Sequence, residues 1–173
     1  VAAYTSPHWP LQVPEDELDL YSGRYAMGYD ALREQRFVSL KNAGIIPADS
    51  QLPPRNDTIT LWSELSSEQQ RNESRKMELY AAMVDNLDGH VGHLIEYLRT
   101  NNLYDNTLIV FMADNGAAGE DFYNTGPYVD NVRSLYNNSY ENMGRPDSWV
   151  AYGPQWAEAG SAPFKRYKGF TTE

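Results

Sequence analysis

The spacing of apolar and polar residues predicts helices in the first hundred positions of the chain. Residues 28–42 allow a helix that ends at Gly44, and Asp16 to Tyr21 could open a shorter one. A longer helix is predicted from Ser66, because Ser66 and Gln69 match a capping box. Its apolar stripe must pack against a sheet or another helix. The stripe consists of Met77, Tyr80, Ala81, Val84, Leu87, Val91, Leu94, Ile95 and Leu98.

A run of six apolar residues, Leu108 to Ala113, predicts a strand over 107–113 that is buried on both faces. The long helix leads directly into it, so the two form an α/β unit. Asp114, Asn115 and Gly116 end the strand. Ligands sit beyond such strand ends in open α/β sheets, and a carboxylate and an amide oxygen there suit calcium. An ordinary turn rich in Asp and Asn is the alternative.

The remaining segments predict loops and two strand pieces. Residues 1–5 resemble the end of a strand, and the prolines that follow and those within 45–56 predict loops. Periodicity disappears over 119–163, so this stretch is predicted to be a long loop near the substrate pocket. Residues 164–170 alternate well enough to predict an edge strand.

Charge and composition exclude several classes of function. The 173 residues carry a net charge of −10 and no basic run, which argues against a nucleic-acid partner. No apolar stretch is long enough to span a membrane. The chain has no cysteine, so thiolate metal sites and a cysteine nucleophile are excluded within it.

Three sets of histidine and lysine residues are candidates for chemistry. His8 stands between Pro7 and Pro10, which are expected to hold the backbone extended and aim the imidazole. Such a ring can bind an anionic oxygen or transfer a proton. Lys168 could neutralise an oxyanion, with Lys165 as its competitor on the opposite strand face. His90 and His93 form a conceivable helical metal pair, although surface positions are the simpler interpretation.

Three blocks in this order resemble the sulfatase family, in particular bacterial arylsulfatases. They are Ser6 to Pro14, Asp114 to Gly116, and a closing block formed by Trp156 to Ala159 and Ala162 to Glu173. The resemblance implies an alkaline-phosphatase-like α/β fold, in which helices flank a mainly parallel central sheet. It also implies hydrolysis of sulfate esters with a calcium ion and a formylglycine nucleophile made from Cys or Ser.

Carried over position by position, the resemblance makes Asp114 and Asn115 calcium ligands. It makes His8 a sulfate ligand that assists the departing alcohol, and Lys168 the cation that neutralises sulfate and leaving-group oxygens. The family's Cys/Ser-x-Pro-x-Arg motif is missing, since the x-Pro-x-Arg stretch that ends at Arg55 begins with Gln51. Residues 1–173 are therefore expected to be an internal fragment of a catalytic domain, inactive alone and weak in binding calcium.

Two alternatives stay open. The first is a phosphatase or phosphodiesterase of the same superfamily, in which Asp and His hold zinc or manganese. The second is a non-catalytic acidic module whose loops, rich in Tyr and Trp, bind a glycan or a protein partner. For the sulfatase, a small-molecule or glycan sulfate ester is the expected substrate. A soluble protein of the bacterial periplasm or cytoplasm is expected, and the oligomeric state is left open.

Overall fold

The computed structural model describes residues 1–171, and within them the regular structure is entirely helical. The four α-helices are α1 (Gly28–Asn42), α2 (Ser67–Thr100), α3 (Val129–Leu135) and α4 (Gly153–Ser161). Short 3-10 helices occupy Glu15–Glu17, Trp62–Glu64 and Tyr104–Asn106. Thr172 and Glu173, the last residues of the closing block, lie outside the described residues.

Helices α1 and α2 confirm the sequence predictions. Helix α1 has the predicted bounds, and Gly44 follows it in a left-handed conformation with φ +69°. At the start of α2, the Ser66 hydroxyl accepts from the Gln69 amide over 3.2 Å, and Gln69 Oε1 accepts from the Ser66 amide over 2.8 Å. This capping box satisfies two amide groups that the helix itself leaves free.

The core is organised around Trp156 of α4, which is 1% exposed. Its ring meets those of Tyr25, Tyr29 and Trp62 at centroid distances of 6.0, 5.5 and 6.2 Å, all with steep interplanar angles. The indole N–H donates to the Glu73 carbonyl oxygen of α2 over 3.1 Å. Each large side chain buried in this way stabilises the fold by roughly 1.5–3 kcal/mol, so the cluster fastens α4 to α2 and α1.

A buried ion pair anchors the loop before α2. Glu158 of α4 is 1% exposed, and its Oε2 lies 3.6 Å from Arg55 Nε. Arg55 also pairs with Asp30 of α1 over 2.7 Å, and Glu158 Oε1 accepts from the Asn56 amide over 2.6 Å. Arg55, the end of the x-Pro-x-Arg stretch, is therefore a fold residue that joins α1, α4 and this loop.

The second half of α2 and the segment after it project away from the core. The last buried residue of α2 is Met83, and none of the buried residues of this helix belongs to the predicted apolar stripe. Of the stripe, Met77 and Tyr80 are partly buried against the core, so the buried face of α2 is offset from the predicted one. Residues 107–113 form no strand, and Leu108, Phe111 and Met112 are 90%, 75% and 77% exposed. The predicted strand is not formed because no other segment within residues 1–171 is extended beside it to complete its hydrogen bonds.

The remaining predictions of irregular and extended structure need correction. Residues 1–5 and 164–170 contain no strand. The stretch 119–163 is not one loop, because it contains α3 and α4. Helix α4 is short and buried along most of its length, so it shows no polar face. Its clearest signal is Pro154 near its start, a position that suits proline. The helix predicted from Asp16 is shorter, a 3-10 turn at Glu15–Glu17.

None of the helices within residues 1–171 combines the length and apolar character needed to cross a membrane.

Alkaline pH is expected to destabilise the fold through Tyr29. Burial, followed by the nearby Asp30 carboxylate, raises the pKa of Tyr29 from 10.0 to about 12. A raised pKa favours the neutral phenol in the folded state, so its stabilisation is full below pH 10 and is lost as the pH rises towards 12. The loss in this window is about 2–3 kcal/mol, measurable by urea unfolding at pH 9, 10, 11 and 12.

Tyr29→Phe is the control for this effect. The variant loses the hydrogen bond to the Thr60 carbonyl oxygen and starts about 1 kcal/mol less stable at neutral pH. Between pH 10 and 12 its stability should fall less steeply than that of the wild type. Equal slopes for the two proteins would show that Tyr29 is not the group that titrates.

Candidate active site

His8 lies in a turn with an exposed side chain. Its amide donates to the Thr5 carbonyl oxygen over 3.0 Å, which closes a turn where an extended backbone was expected. Ring atom Nδ1 lies 2.6 Å from the Trp9 carbonyl oxygen. Because a carbonyl can only accept, Nδ1 carries the hydrogen, and Nε2 is the nitrogen left for a ligand.

The residues after His8 are tied to the loop between α3 and α4. The Leu11 amide donates to the Val150 carbonyl oxygen over 2.8 Å, and the Val13 amide donates to that of Gly144 over 3.1 Å. The Gln12 side chain donates to the Ser148 carbonyl oxygen over 3.0 Å. Since Leu11 is only 1% exposed, the polypeptide that carries His8 is firmly seated, while the imidazole itself stays accessible.

Aromatic rings join the His8 turn to the loop that follows Gly116. The His8 ring lies 4.5 Å from the Trp9 ring. Trp9 in turn meets Phe122 edge-to-face at 5.2 Å and Trp149 at 5.8 Å. Such ring pairs contribute about 0.5–1.5 kcal/mol each beyond area burial, so Phe122 fixes its segment against the neighbour of His8.

Asp114 and Asn115 are exposed, and their oxygens are available to a ligand. Among residues 1–171, no hydrogen bond or ion pair engages the Asp114 carboxylate. The Asn115 side chain donates from Nδ2 to the Gly116 carbonyl oxygen over 3.1 Å, which leaves Oδ1. Oxygen donors of these two kinds suit calcium, but calcium takes six to eight ligands. Within residues 1–171 no group of three His, Asp or Glu side chains is placed to hold a metal.

Residues 117–122, which follow this pair after Gly116, contact the closing block. The Lys168 amide donates to the Ala117 carbonyl oxygen over 2.9 Å. The Ala118 amide donates to the Tyr152 hydroxyl over 3.2 Å, and burial raises the pKa of Tyr152, so that phenol stays neutral. The backbone next to the acidic pair is thus hydrogen-bonded to the backbone of Lys168.

The structure therefore links three of the predicted site segments through 117–122. The acidic pair precedes this segment, Lys168 is hydrogen-bonded to its start, and Phe122 at its end packs on the neighbour of His8. Among residues 1–171, no hydrogen bond joins any two of the side chains of His8, Asp114, Asn115 and Lys168. The choice between Lys168 and Lys165 as the site lysine stays a prediction.

His90 and His93 stay apart from this arrangement. Both rings are exposed on the second half of α2, with centroids 5.9 Å apart. No third His, Asp or Glu completes a metal group with them in the described part of the chain. They are surface residues of the helix, as the simpler interpretation held.

Sequence reasoning missed the buried ion pair that joins Lys76 of α2 to Asp121 of segment 117–122. Lys76 of α2 and Asp121 are each 7% exposed, and Lys76 also pairs with Glu73. One signal was present, since Lys76 stands three residues before Leu79 and seven before Met83, on the face that becomes buried. A lysine at such a position needs a carboxylate partner.

Comparison with known proteins identifies the family of this chain. The model of the sulfatase family matches residues 1–167, so the chain belongs to the sulfatase family, and the resemblance inferred from its motifs is confirmed.

Two curated relatives carry the same family relationship. An uncharacterized sulfatase of Schizosaccharomyces pombe is 42% identical over 176 residues, covering 98% of this chain and 31% of the relative. An arylsulfatase of Klebsiella aerogenes is 39% identical over 172 residues, covering 98% of this chain and 36% of the relative. The chain thus spans about a third of the length of these relatives.

Gly119 is expected to be required for the packing of segment 117–122. A Cβ at this position would lie 2.3 Å from the Tyr167 ring, so Gly119→Ala must displace that ring. We expect a loss of about 1–3 kcal/mol in the free energy of unfolding, as for other overpacked sites. Urea unfolding of the purified chain measures it.

Gly116→Ala is the matched control, because no atom lies within 4 Å of its added Cβ. Its free energy of unfolding should stay within about 0.5 kcal/mol of the wild type. Equal stabilities for the two variants would contradict the tight packing between Gly119 and Tyr167.

Proposed function

We propose that this chain forms part of the active site of a sulfuric ester hydrolase of the arylsulfatase type. Family membership and the arylsulfatase relative support the proposal. The observation that carries it is the set of contacts made by segment 117–122, which follows Asp114 and Asn115 and touches both Lys168 and the neighbour of His8. The substrate class is a small-molecule or glycan sulfate ester.

The proposed reaction is hydrolysis. The bond between sulfur and the alcohol oxygen breaks, and its electron pair leaves with that oxygen, which takes up a proton. Water supplies the new oxygen on sulfur, so that ester and water give alcohol and hydrogen sulfate. Negative charge grows on the leaving oxygen, and the site must offset it.

His8 is proposed to bind the sulfate and assist the departing alcohol. Because Nδ1–H is directed at the Trp9 carbonyl oxygen, Nε2 is the atom that faces the substrate. In the imidazolium form, Nε2–H donates to a sulfate oxygen or to the leaving oxygen. The hydrogen bond on Nδ1 fixes the orientation of the ring while this happens.

Lys168 is proposed to supply a positive point charge. The backbone hydrogen bond to Ala117 holds the Lys168 backbone beside the segment that follows the acidic pair. An ammonium group can offset charge on sulfate and leaving-group oxygens without further proton transfer. In a chain of net charge −10, such a cation also reduces the electrostatic repulsion of an anionic substrate.

Asp114 and Asn115 would hold a calcium ion, with its remaining oxygen ligands supplied from outside residues 1–173. When bound, that ion would draw charge from a sulfate oxygen. The formylglycine nucleophile would also come from outside these residues, which contain no cysteine. The chain alone is therefore expected to be inactive and to bind calcium weakly.

The exposed apolar segment supports an α/β architecture for the whole protein. Leu108, Val110 and Met112 are 66–90% exposed, a costly arrangement unless another part of a larger protein covers them. We infer that in the whole protein residues 107–113 enter the mainly parallel sheet of an alkaline-phosphatase-like fold. Asp114 and Asn115 would then stand at the carboxyl end of that strand.

Substitution of the site residues tests the proposed roles. In the complete protein that carries this chain, His8→Ala should lower kcat/KM for 4-nitrophenyl sulfate by about 10²–10⁴-fold. Lys168→Met should lower it by about 10²–10³-fold, and Asp114→Ala should abolish the response to added calcium. Release of 4-nitrophenol is the measurement.

His93→Ala and Lys165→Met are the matched controls, and both should leave the rate close to the wild-type value. A wild-type protein that releases no sulfate from the ester would overturn the proposal. Cleavage of 4-nitrophenyl phosphate in preference to the sulfate would assign the chain to the phosphatase alternative instead.

A further inference from the structure

Lys76 is a buried cation whose partners are both carboxylates. It lies on α2 and is 7% exposed. Its Nζ is 2.6 Å from Glu73 Oε1 and 3.5 Å from Asp121 Oδ2. Burial of an ammonium group is costly unless it is paired and hydrogen-bonded. The two carboxylates satisfy that requirement, one from the same helix and one from segment 117–122.

Glu73 connects this lysine to the aromatic core. Its Oε2 accepts from the Gln155 side chain of α4 over 2.5 Å, and its carbonyl oxygen accepts from the indole of Trp156. The carboxylate that holds Lys76 is thus fixed by the same residues that fasten α4 to α2. Lys76 is therefore held directly beside the aromatic core.

Asp121 is the other end of the connection, and it organises the turn that follows. Its side chain accepts from the Asn124 amide over 3.3 Å and from Asn124 Nδ2 over 2.8 Å. Its carbonyl oxygen accepts from the Thr125 amide and hydroxyl over 2.8 and 3.0 Å. Because these bonds are local, Lys76 is the one α2 residue within 1–171 that pairs with the Asp121 carboxylate.

Segment 117–122 carries this fixed point to the candidate site. Asp121 lies between Ala117, which is hydrogen-bonded to Lys168, and Phe122, which packs on the neighbour of His8. Asp114 and Asn115 precede the same segment. A shift of Asp121 would therefore move the backbone beside Lys168 and the acidic pair relative to the His8 turn, which its own hydrogen bonds to residues 144–150 hold in place.

We propose that Lys76 and Asp121 form a positioning pair that holds segment 117–122, and with it the acidic pair, Lys168 and the His8 turn, in register. This inference rests on the sulfatase function proposed above. The pair does not touch the reacting atoms. Its role is to fix the relative placement of the groups that do, where a misplacement of about 1 Å can cost on the order of 10²-fold in rate.

The charges of the pair are suited to this role. Burial alone would lower the pKa of Lys76, but the carboxylates of Glu73 and Asp121 raise it overall, so the lysine stays charged throughout the physiological range. Each charge of the pair is costly to bury without the other, so the pair favours the placement of segment 117–122 in which Lys76 and Asp121 meet.

The test compares Lys76→Met and Asp121→Asn with Arg75→Met. Arg75 is the adjacent buried cation of α2, paired with Asp19 and Glu78 on another face. Each variant is measured by hydrogen exchange of the Ala118 and Lys168 amides in the 173-residue chain. Each is also assayed for kcat and KM with 4-nitrophenyl sulfate in the complete protein.

In Lys76→Met and Asp121→Asn, both amides should exchange about tenfold faster relative to those of α2, and KM should rise by about tenfold. Arg75→Met should lower the melting temperature without either effect. Lys76→Arg should restore both readouts, because it returns the charge. The neutral triple variant E73Q/K76M/D121N keeps the assay informative if a single variant fails to fold, and it should show the same loosening.

Unchanged exchange and unchanged KM in a folded Lys76→Met or triple variant would overturn the inference. So would a loss that Arg75→Met reproduces in both readouts, because the effect would then be general destabilisation. A wild-type protein without sulfatase activity would instead contradict the proposed function. The exchange measurements would still decide whether Lys76 and Asp121 hold segment 117–122.

Discussion

A single lysine between two carboxylates connects the core of this chain to its candidate site. Lys76 reaches from α2 to Asp121, and Glu73 holds the same lysine while binding two residues of α4. Unpaired, any one of these buried charges would cost several kcal/mol, whereas together they offset most of the desolvation. These paired charges therefore favour the arrangement in which segment 117–122 lies against α2, and the contacts of Ala118 with Tyr152 and of Phe122 with Trp9 complete its placement.

Packed helices support the fold, while loops carry the residues proposed for chemistry, an arrangement that is common in enzymes. The aromatic cluster around Trp156 makes α1, α2 and α4 a rigid base. The residues proposed to act on the ester lie on irregular segments above it, with exposed side chains at His8 and Asp114. A rigid base with accessible loop residues allows a site to bind a small anion without unfolding any helix.

Local signals in the sequence were enough for α1 and α2, because capping residues and a terminal glycine define helix ends without reference to the rest of the fold. Strands depend on partners from elsewhere, so the apolar run 107–113 could not reveal whether a neighbour would be present. Helix α4 was missed because burial removed its polar face. The order of the motifs identified the family. The ion pair between Lys76 and Asp121 could not be predicted from the sequence, because the two residues are 45 positions apart and only the fold brings them together.

A crystal structure of the complete protein with calcium and inorganic sulfate bound tests the proposed site most directly. We expect calcium on the oxygens of Asp114 and Asn115, and a sulfate within hydrogen-bond reach of both His8 Nε2 and Lys168 Nζ. Calcium bound without either of these oxygens, or a sulfate beyond the reach of His8 and Lys168, would contradict the proposed site.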